Sequence, residues 1–396
     1  MALSSILQRF NEPETLKMAK LGRELRAQGI DVIDLSLGEP DFDTPEHIKQ
    51  AAIKAVNDNW SHYTPVPGFL DLREAVCTKL KRDNNLEYKP ENIVVSTGAK
   101  QSLANAILAI VDEGEEVIIP TPYWVTYSEL VKIARGKVVE VRTSPEAQFK
   151  ITPQQLEAAI TPKTKAFLFS SPCNPSGAVY SKEELAGLAE VLKKHPHIYI
   201  LSDEIYEYIN FVGEHESIAQ FSELKDRIVI INGMSKGFAM TGWRIGYTAA
   251  NVEVTKAMEK LQGQFTSGTN SVAQKASVVA LTGDLAPTKK MTEEFTRRRK
   301  RVLELVKEVP GISCFEPQGA FYIFPDVSSY YGKSDGQNNI QNAADLCMYL
   351  LNTAHVSSVM GDAFGEPNCV RFSFANSLEN IEKGWARIKE ALAKLK

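Results

Sequence analysis

The chain has 396 residues, 43% hydrophobic and 24% charged. At about 150 residues per domain, that is enough for two or three domains with a sizeable core. This composition excludes disordered, collagen-like and low-complexity classes. A net charge of −4 argues against nucleic acid or an anionic membrane surface as partner.

From the N-terminus, residues 1–10 show neither a basic leader nor an apolar stretch of signal length. Apolar runs such as Ile107–Val111 fall far short of the roughly 18 residues of a membrane span. Strands are predicted at Val32–Ser36, Ile93–Ser96, Glu116–Ile119, Lys137–Arg142, Lys165–Ser170, Ile198–Ser202, Arg227–Asn232 and Arg244–Ala249. Helical patterns alternate with them at Pro45–Asn57, Phe69–Arg82, Lys100–Val111, Trp124–Ala134, Pro153–Ile160 and Lys182–Lys194. Such alternation implies a mainly parallel sheet with helices on both faces, and ligands in these sheets gather at the carboxyl ends of strands. After Val252 the character changes. Helices are predicted at Val254–Phe265, Ser271–Thr282 and Pro287–Val309, then strands at Ser313–Phe315, Phe321–Phe324, Val356–Val359 and Val370–Phe374. Helices over Asn342–Asn352 and Leu378–Leu395 complete the mixture, and the polar stretch Asp326–Asn339 reads as an insertion loop. The five cysteines, Cys77, Cys173, Cys314, Cys347 and Cys369, are scattered and never form a C-x-x-C pair. Reduced thiols in a cytoplasmic protein, with no metal centre, are the expectation.

No G-x-G, P-loop, H-E-x-x-H or G-x-S-x-G motif occurs. The chemistry lies instead at strand ends. After the run ending at Asn232 comes Gly233-Met234-Ser235-Lys236-Gly237, with Arg244 eight residues beyond the lysine. A lysine held in a desolvated pocket forms Schiff bases, and arginine offers a fork to phosphate; an ordinary surface loop also carries such residues. Asp203 directly follows an apolar strand, where it suits either a protonated heterocycle nitrogen or a helix N-cap. Ser96-Thr97-Gly98-Ala99-Lys100 is a strand, a glycine turn and a helix start, hence an anion cradle or a plain turn. Asn174 precedes a proline in Ser171-Pro172-Cys173-Asn174-Pro175, which extends its backbone and aims the amide at a ligand or merely builds a turn. An amine, a carboxylate, an anion cradle, an arginine and an amide together match the needs of pyridoxal phosphate (PLP).

With these segments in order, the chain resembles the fold-type I, class I PLP-dependent aminotransferases, most closely the bacterial aspartate aminotransferase subgroup. The resemblance runs from Leu37-Gly38-Glu39-Pro40 to Cys369-Val370-Arg371-Phe372-Ser373 and includes Asn174-Pro175-x-Gly177, Ser202-Asp203-Glu204-Ile205-Tyr206 and Ser235-Lys236 to Gly246. It implies an α/β, PLP-dependent transferase fold: a large PLP-binding domain over 45–300 and a smaller α/β domain from 1–44 plus 301–396. It further implies that Lys236 holds PLP and shuttles the substrate's proton, that Asp203 pairs with the ring nitrogen, and that Asn174 and Tyr206 bind the phenolate oxygen. Trp124 would stack on the ring, unless it is a core tryptophan opening a helix. Gly98, Ala99, Lys100, Ser235 and Arg244 would surround the phosphate. Tyr63 would reach the phosphate of a neighbouring subunit, so the resemblance implies a homodimer with shared sites.

For substrate, the resemblance points to Arg371 on the α-carboxylate, helped by the Gly38 backbone, with Trp124 and Asn174 alongside. An arginine on an apolar strand is costly to bury alone, so a structural Asp or Glu partner is the other option. Lys100, with Thr15, would face the distal carboxylate of a dicarboxylic substrate; otherwise it is a solvated lysine where the helix dipole disfavours a cation. The expected activity is transfer of the amino group of L-aspartate to 2-oxoglutarate by a ping-pong mechanism. Rival readings are an aromatic, alanine or kynurenine-type aminotransferase, a PLP-dependent C–S lyase, and a PLP-sensing regulatory module. Two departures stand out: Gly233 occupies a position where many relatives carry a phosphate-binding serine, and Cys173 beside the cofactor would be open to oxidation.

Overall fold

The computed structural model of the protein describes residues 3–396. Its centre is a seven-stranded sheet: β1 (Ile93–Ser96), β2 (Glu116–Pro120), β3 (Lys137–Val141), β4 (Thr164–Ser170), β5 (Tyr199–Asp203), β6 (Ile228–Gly233) and β7 (Gly246–Ala249). The spatial order is β1-β7-β6-β5-β4-β2-β3, with every strand parallel except β7, which runs against both neighbours.

Strands buried on both faces read as continuous apolar runs, as Ala166-Phe167-Leu168-Phe169 and Ile228-Val229-Ile230-Ile231 do. Alternate residues serve opposite faces. Phe167, Phe169, Ile200 and Ile230 meet Leu72 and Val76 of the helix Leu70–Asn84, Leu188 of Lys182–Lys193, and Ala276 of Ser271–Thr282. Leu168, Leu201, Val229 and Ile231 meet Leu103 and Ile107 of the helix Ala99–Ile110 and Met258 of Val252–Phe265.

A second core gathers the chain's two ends. Ile33–Asp34 pairs in parallel with Val356–Ser357, and Tyr322–Ile323, Val370–Ser373 and Val359–Met360 form a small antiparallel sheet. Helices Glu14–Ala27, Ala286–Lys307, Ala343–Tyr349 and Leu378–Leu392 supply Met18, Phe295, Leu346 and Trp385 to this core. The 22-residue helix Ala286–Lys307 touches both bodies: Thr288 Oγ1 donates to Gly237 O at 2.8 Å, and Val302 and Val306 lie in the second core.

Several expectations need correction. Ser313–Phe315 is not a strand, making only an isolated bridge from Ser313 to Asp326. Val356–Val359 is split, its two halves joining different sheets. Val32–Ser36 contracts to Ile33–Asp34, and Arg244 lies outside β7 with φ of +58°. The helix Glu14–Ala27 has no counterpart among the predicted elements. It buries only Met18, Ala19 and Gly22, too narrow an apolar stripe to stand out among its charges. Among the described residues, no helix is long and apolar enough to cross a membrane.

Candidate active site

A cavity of about 300 Å³ opens at the carboxyl ends of the parallel strands, between the two cores. Because β7 is reversed, Arg244 just before it arrives at the same edge as Ser235 and Lys236 just after β6. Thr15, Gly38, Ala99, Lys100, Trp124, Asn174, Asp203, Tyr206, Ser235, Lys236, Arg244 and Arg371 all line it. Gly98 stands immediately behind this lining. Tyr63 is not brought to the cavity of its own chain, and its side chain is 97% exposed.

Four cations, Lys100, Lys236, Arg244 and Arg371, face two carboxylates, Glu39 and Asp203. Such a surplus favours an anionic occupant. Lys236 Nζ donates to the carbonyl of Gly38 and lies 5.7 Å from the centre of the Tyr206 ring. Loss of hydration is the main cause that lowers its pKa to about 8, with Arg371 and Arg244 acting in the same direction against Glu39 and Asp203. An amine so perturbed is available as a nucleophile near neutral pH.

Asp203 ends β5 at the bottom of the site, 4% exposed. Its Oδ2 accepts the Tyr127 hydroxyl at 2.7 Å and its Oδ1 accepts the Ile205 N–H at 3.2 Å. Burial dominates and raises its pKa to about 6, although Tyr127 pulls the other way. The N-cap alternative does not describe it, since no helix begins there. A buried carboxylate in this position suits a cationic ring atom.

The anion cradle forms where β1 turns into the helix Ala99–Ile110. Gly98 has φ of +82°, and a Cβ there would stand 2.3 Å from Arg244 Nη2. Glycine therefore lets the guanidinium lie against the helix N-terminus. The N–H groups of Ala99 and Lys100 donate to no group among the described residues, nor does the Ser235 hydroxyl. Free donors, a helix dipole and Arg244 converge on one spot. Gly233 does not open onto it: a Cβ there would meet Ile245 O at 2.7 Å and Gly246 Cα at 2.8 Å. A serine at 233 would collide with β7, so glycine here follows from strand packing.

Arg371 is 2% exposed on Val370–Ser373. Its Nη1 donates to Asn174 Oδ1 at 2.9 Å and its Nη2 to Ser36 O at 2.6 Å, while its buried Nε has no partner. No carboxylate among the described residues forms an ion pair with it; its partners are the Asn174 amide oxygen and a backbone carbonyl. Asn174 accepts from the arginine through its carbonyl, and its amide N–H groups donate to no group among the described residues. Lys100 sits exposed at the cavity, Nζ 5.0 Å from the Trp124 ring centre and without an ion-pair partner among the described residues. Lost hydration, then Arg244, lowers its pKa.

The sequence motifs left out Tyr127 and Tyr322. Tyr127 lies in the first turn of the helix Thr126–Ile133 and packs edge-to-face at 5.7 Å on Trp124, which precedes that helix. The Tyr322 hydroxyl is 2.8 Å from that of Tyr206, and Arg371 lies 4.4 Å above its ring. Cys173 is 6% exposed, and burial raises its thiol pKa, so the expected sensitivity to oxidation is not supported.

Residues 30–388 match the family described as aminotransferase class I and II. The chain is 44% identical to an aspartate/prephenate aminotransferase of Nitrosomonas europaea, over 99% of this chain and all of that one. It is equally 44% identical to an aspartate aminotransferase of Bacillus subtilis, over the full length of both. Among solved structures, an aspartate aminotransferase of Rhizobium meliloti superposes with a TM-score of 0.96 at 42% identity, covering all of both chains. One from Thermus thermophilus, solved with maleate, gives 0.93 at 40% identity over 99% of this chain and 100% of that one.

Proposed function

The chain belongs to the class I and II aminotransferases, which are PLP-dependent, and on that premise we propose that it transfers the amino group of L-aspartate to 2-oxoglutarate. The observation that carries this reading is that none of the four cavity cations has a carboxylate partner: with Lys236 and Arg244 assigned to the cofactor, Arg371 inside and Lys100 at the opening remain. Two unmatched cations on one cavity suit a substrate with a carboxylate at each end. The maleate bound by the Thermus thermophilus relative is such a dianion.

PLP, when bound, supplies an electron sink for the pair released when the amino acid's Cα loses its proton. The residues present fit it. Lys236 would hold its aldehyde carbon and, once displaced by substrate, move the proton at the substrate Cα. Asp203, kept in place by Tyr127, would hold the proton on the ring nitrogen. Tyr206 and the Asn174 amide would donate to the phenolate oxygen, and Trp124 would cover the ring face. Gly98, Ala99, Lys100, Ser235 and Arg244 would bind the phosphate, with Arg244 and the free N–H groups meeting its charge. Arg371 would fork onto the substrate α-carboxylate through its unused N–H groups, supported by the backbone at Gly38. Lys100 and Thr15 would receive the distal carboxylate. The amino group stays with the enzyme between two half-reactions: aspartate departs as oxaloacetate, and 2-oxoglutarate then leaves as glutamate.

The protein is further read as a cytoplasmic homodimer, with Tyr63 reaching the phosphate of the neighbouring subunit; its near-complete exposure on its own chain supports that assignment. Residues 45–300 would form the PLP-binding body and 1–44 with 301–396 the smaller one, the helix Ala286–Lys307 packing against both. The experiment is direct. With PLP, L-aspartate and 2-oxoglutarate, the protein should release oxaloacetate and glutamate in equal amounts, and the Lys236→Ala variant should release neither. A wild-type protein that binds PLP and yields no product from aspartate would overturn the substrate assignment.

A further inference from the structure

The segment Asp203-Glu204-Ile205-Tyr206-Glu207 sends its polar side chains two ways. Asp203 and Tyr206 line the cavity, whereas Glu204 and Glu207 turn into the interior, Glu204 toward His215 and Glu207 toward Lys79. Glu204 Oε2 lies 3.1 Å from His215 Nε2. Glu207 Oε2 accepts from Lys79 Nζ, and that lysine is wholly buried on the helix Leu70–Asn84. A buried ion pair gives a fold little that apolar side chains would not, because desolvation offsets the attraction. What this pair has beyond an apolar one is connectivity.

Glu207 uses both oxygens. Oε2 takes Lys79 and the Asn84 amide at 3.2 Å, and Oε1 takes the Asn232 amide at 2.9 Å. Asn232 in turn accepts the Gly233 N–H through its own Oδ1 at 2.7 Å, three residues before Lys236. On the other side, Lys79 Nζ is 3.9 Å from Asp83 Oδ2, which accepts the Tyr208 hydroxyl at 2.6 Å. One chain of bonds therefore runs from a helix, through the residues flanking Tyr206, to the turn that carries Lys236.

We infer that the Lys79–Glu207 pair is a positioning device that holds Tyr206 and the Asn232–Lys236 turn in fixed relation across the cavity floor. The inference rests on the proposed roles of Tyr206 and Lys236 toward PLP. The geometry carries it: the pair touches nothing in the cavity, yet it joins the ends of β5 and β6, which deliver those two residues.

The test uses the PLP-loaded protein and three readouts: melting temperature, the pH midpoint of the visible absorbance of the bound cofactor, and the single-turnover rate with saturating aspartate. Lys79→Met and Glu207→Leu alone each strand a buried charge and should lower the melting temperature. The double variant removes both charges and should recover most of that loss. Its turnover rate should nevertheless stay down by about tenfold or more, since small misplacements at a reacting centre are costly, and its absorbance midpoint should shift. Asn232→Ala cuts the link to the turn but leaves the ion pair intact, and it should show the same loss of rate. It decides the matter if the double variant does not fold. Wild-type rate and midpoint in either the folded double variant or Asn232→Ala would overturn the inference. A wild-type protein that takes up no PLP would instead overturn the reading of the site.

Discussion

The Tyr127 hydroxyl donates to Asp203 Oδ2 at 2.7 Å, and both residues are buried beneath the cavity. A carboxylate there is pushed up by burial to about 6, and Tyr127 is the strongest influence holding it down. Hydrogen bonds to charged groups are worth about 1.5–3 kcal/mol, so Tyr127→Phe should raise the Asp203 pKa by about one unit or more. In the cofactor-free protein the pH window over which Asp203 ionises should move upward accordingly, read from melting temperatures between about pH 4 and 8. An unmoved window would show that Asp203 does not depend on Tyr127.

Asp203 also sets a conflict between stability and function. Its folded-state pKa is raised, so its contribution to stability is greatest at low pH and is lost as pH rises from about 4 through about 6. In the cofactor-free protein at pH 7, ionised Asp203 costs about 3 kcal/mol on this reckoning. Asp203→Asn should therefore melt no lower than wild type without cofactor, yet lose transamination almost entirely. Calorimetry of the cofactor-free protein and an activity assay separate the two effects. A variant that melts far lower would make Asp203 a structural residue first.

Arg371 and Lys100 predict different losses. Arg371→Lys keeps the charge but loses the planar fork, so kcat/KM should fall by about 100-fold for every amino acid substrate. Lys100→Ala should lower kcat/KM for aspartate by about tenfold to 100-fold and leave alanine nearly unchanged. Measuring both substrates on both variants checks this. An equal loss on alanine and aspartate in Lys100→Ala would remove its role at the distal carboxylate.

Gly233→Ser tests whether a phosphate-binding serine is missing. The side chain would collide with Ile245 O and Gly246 Cα rather than enter the cradle, so the variant should melt lower and hold PLP no more tightly. Tighter PLP retention would show that the turn can relax and that the hydroxyl reaches the phosphate.

Much of the site was legible because its residues follow apolar strands, where a lysine, aspartate or asparagine has no packing reason to stand. Asp203, Lys236 and Asn174 are of this kind, and all three line the cavity. Tyr127 and Tyr322 were not legible, because an aromatic residue within an apolar element looks the same whether its hydroxyl is idle or bonded. The tie between Tyr206 and Tyr322 spans 116 positions and exists only in the folded chain. The large sheet was readable for a related reason: long apolar runs such as β4 and β6 declare burial on both faces. The second body was less so. Its helix Glu14–Ala27 buries too few residues to show a stripe, Ser313–Phe315 forms no strand, and the two-residue strand Ile33–Asp34 finds its partner Val356–Ser357 only at the far end of the chain. The Lys79–Glu207 pair was equally hidden, since a lysine on an amphipathic helix normally faces water.

The central claim is best tested by one half-reaction. The PLP-loaded yellow protein is mixed with L-aspartate in the absence of any 2-oxo acid, and absorbance and oxaloacetate are followed together. Rapid loss of the yellow absorbance, with one oxaloacetate released per active site, is the predicted result. Persistence of the yellow form with aspartate, alongside its rapid loss with alanine or phenylalanine, would contradict aspartate as the substrate.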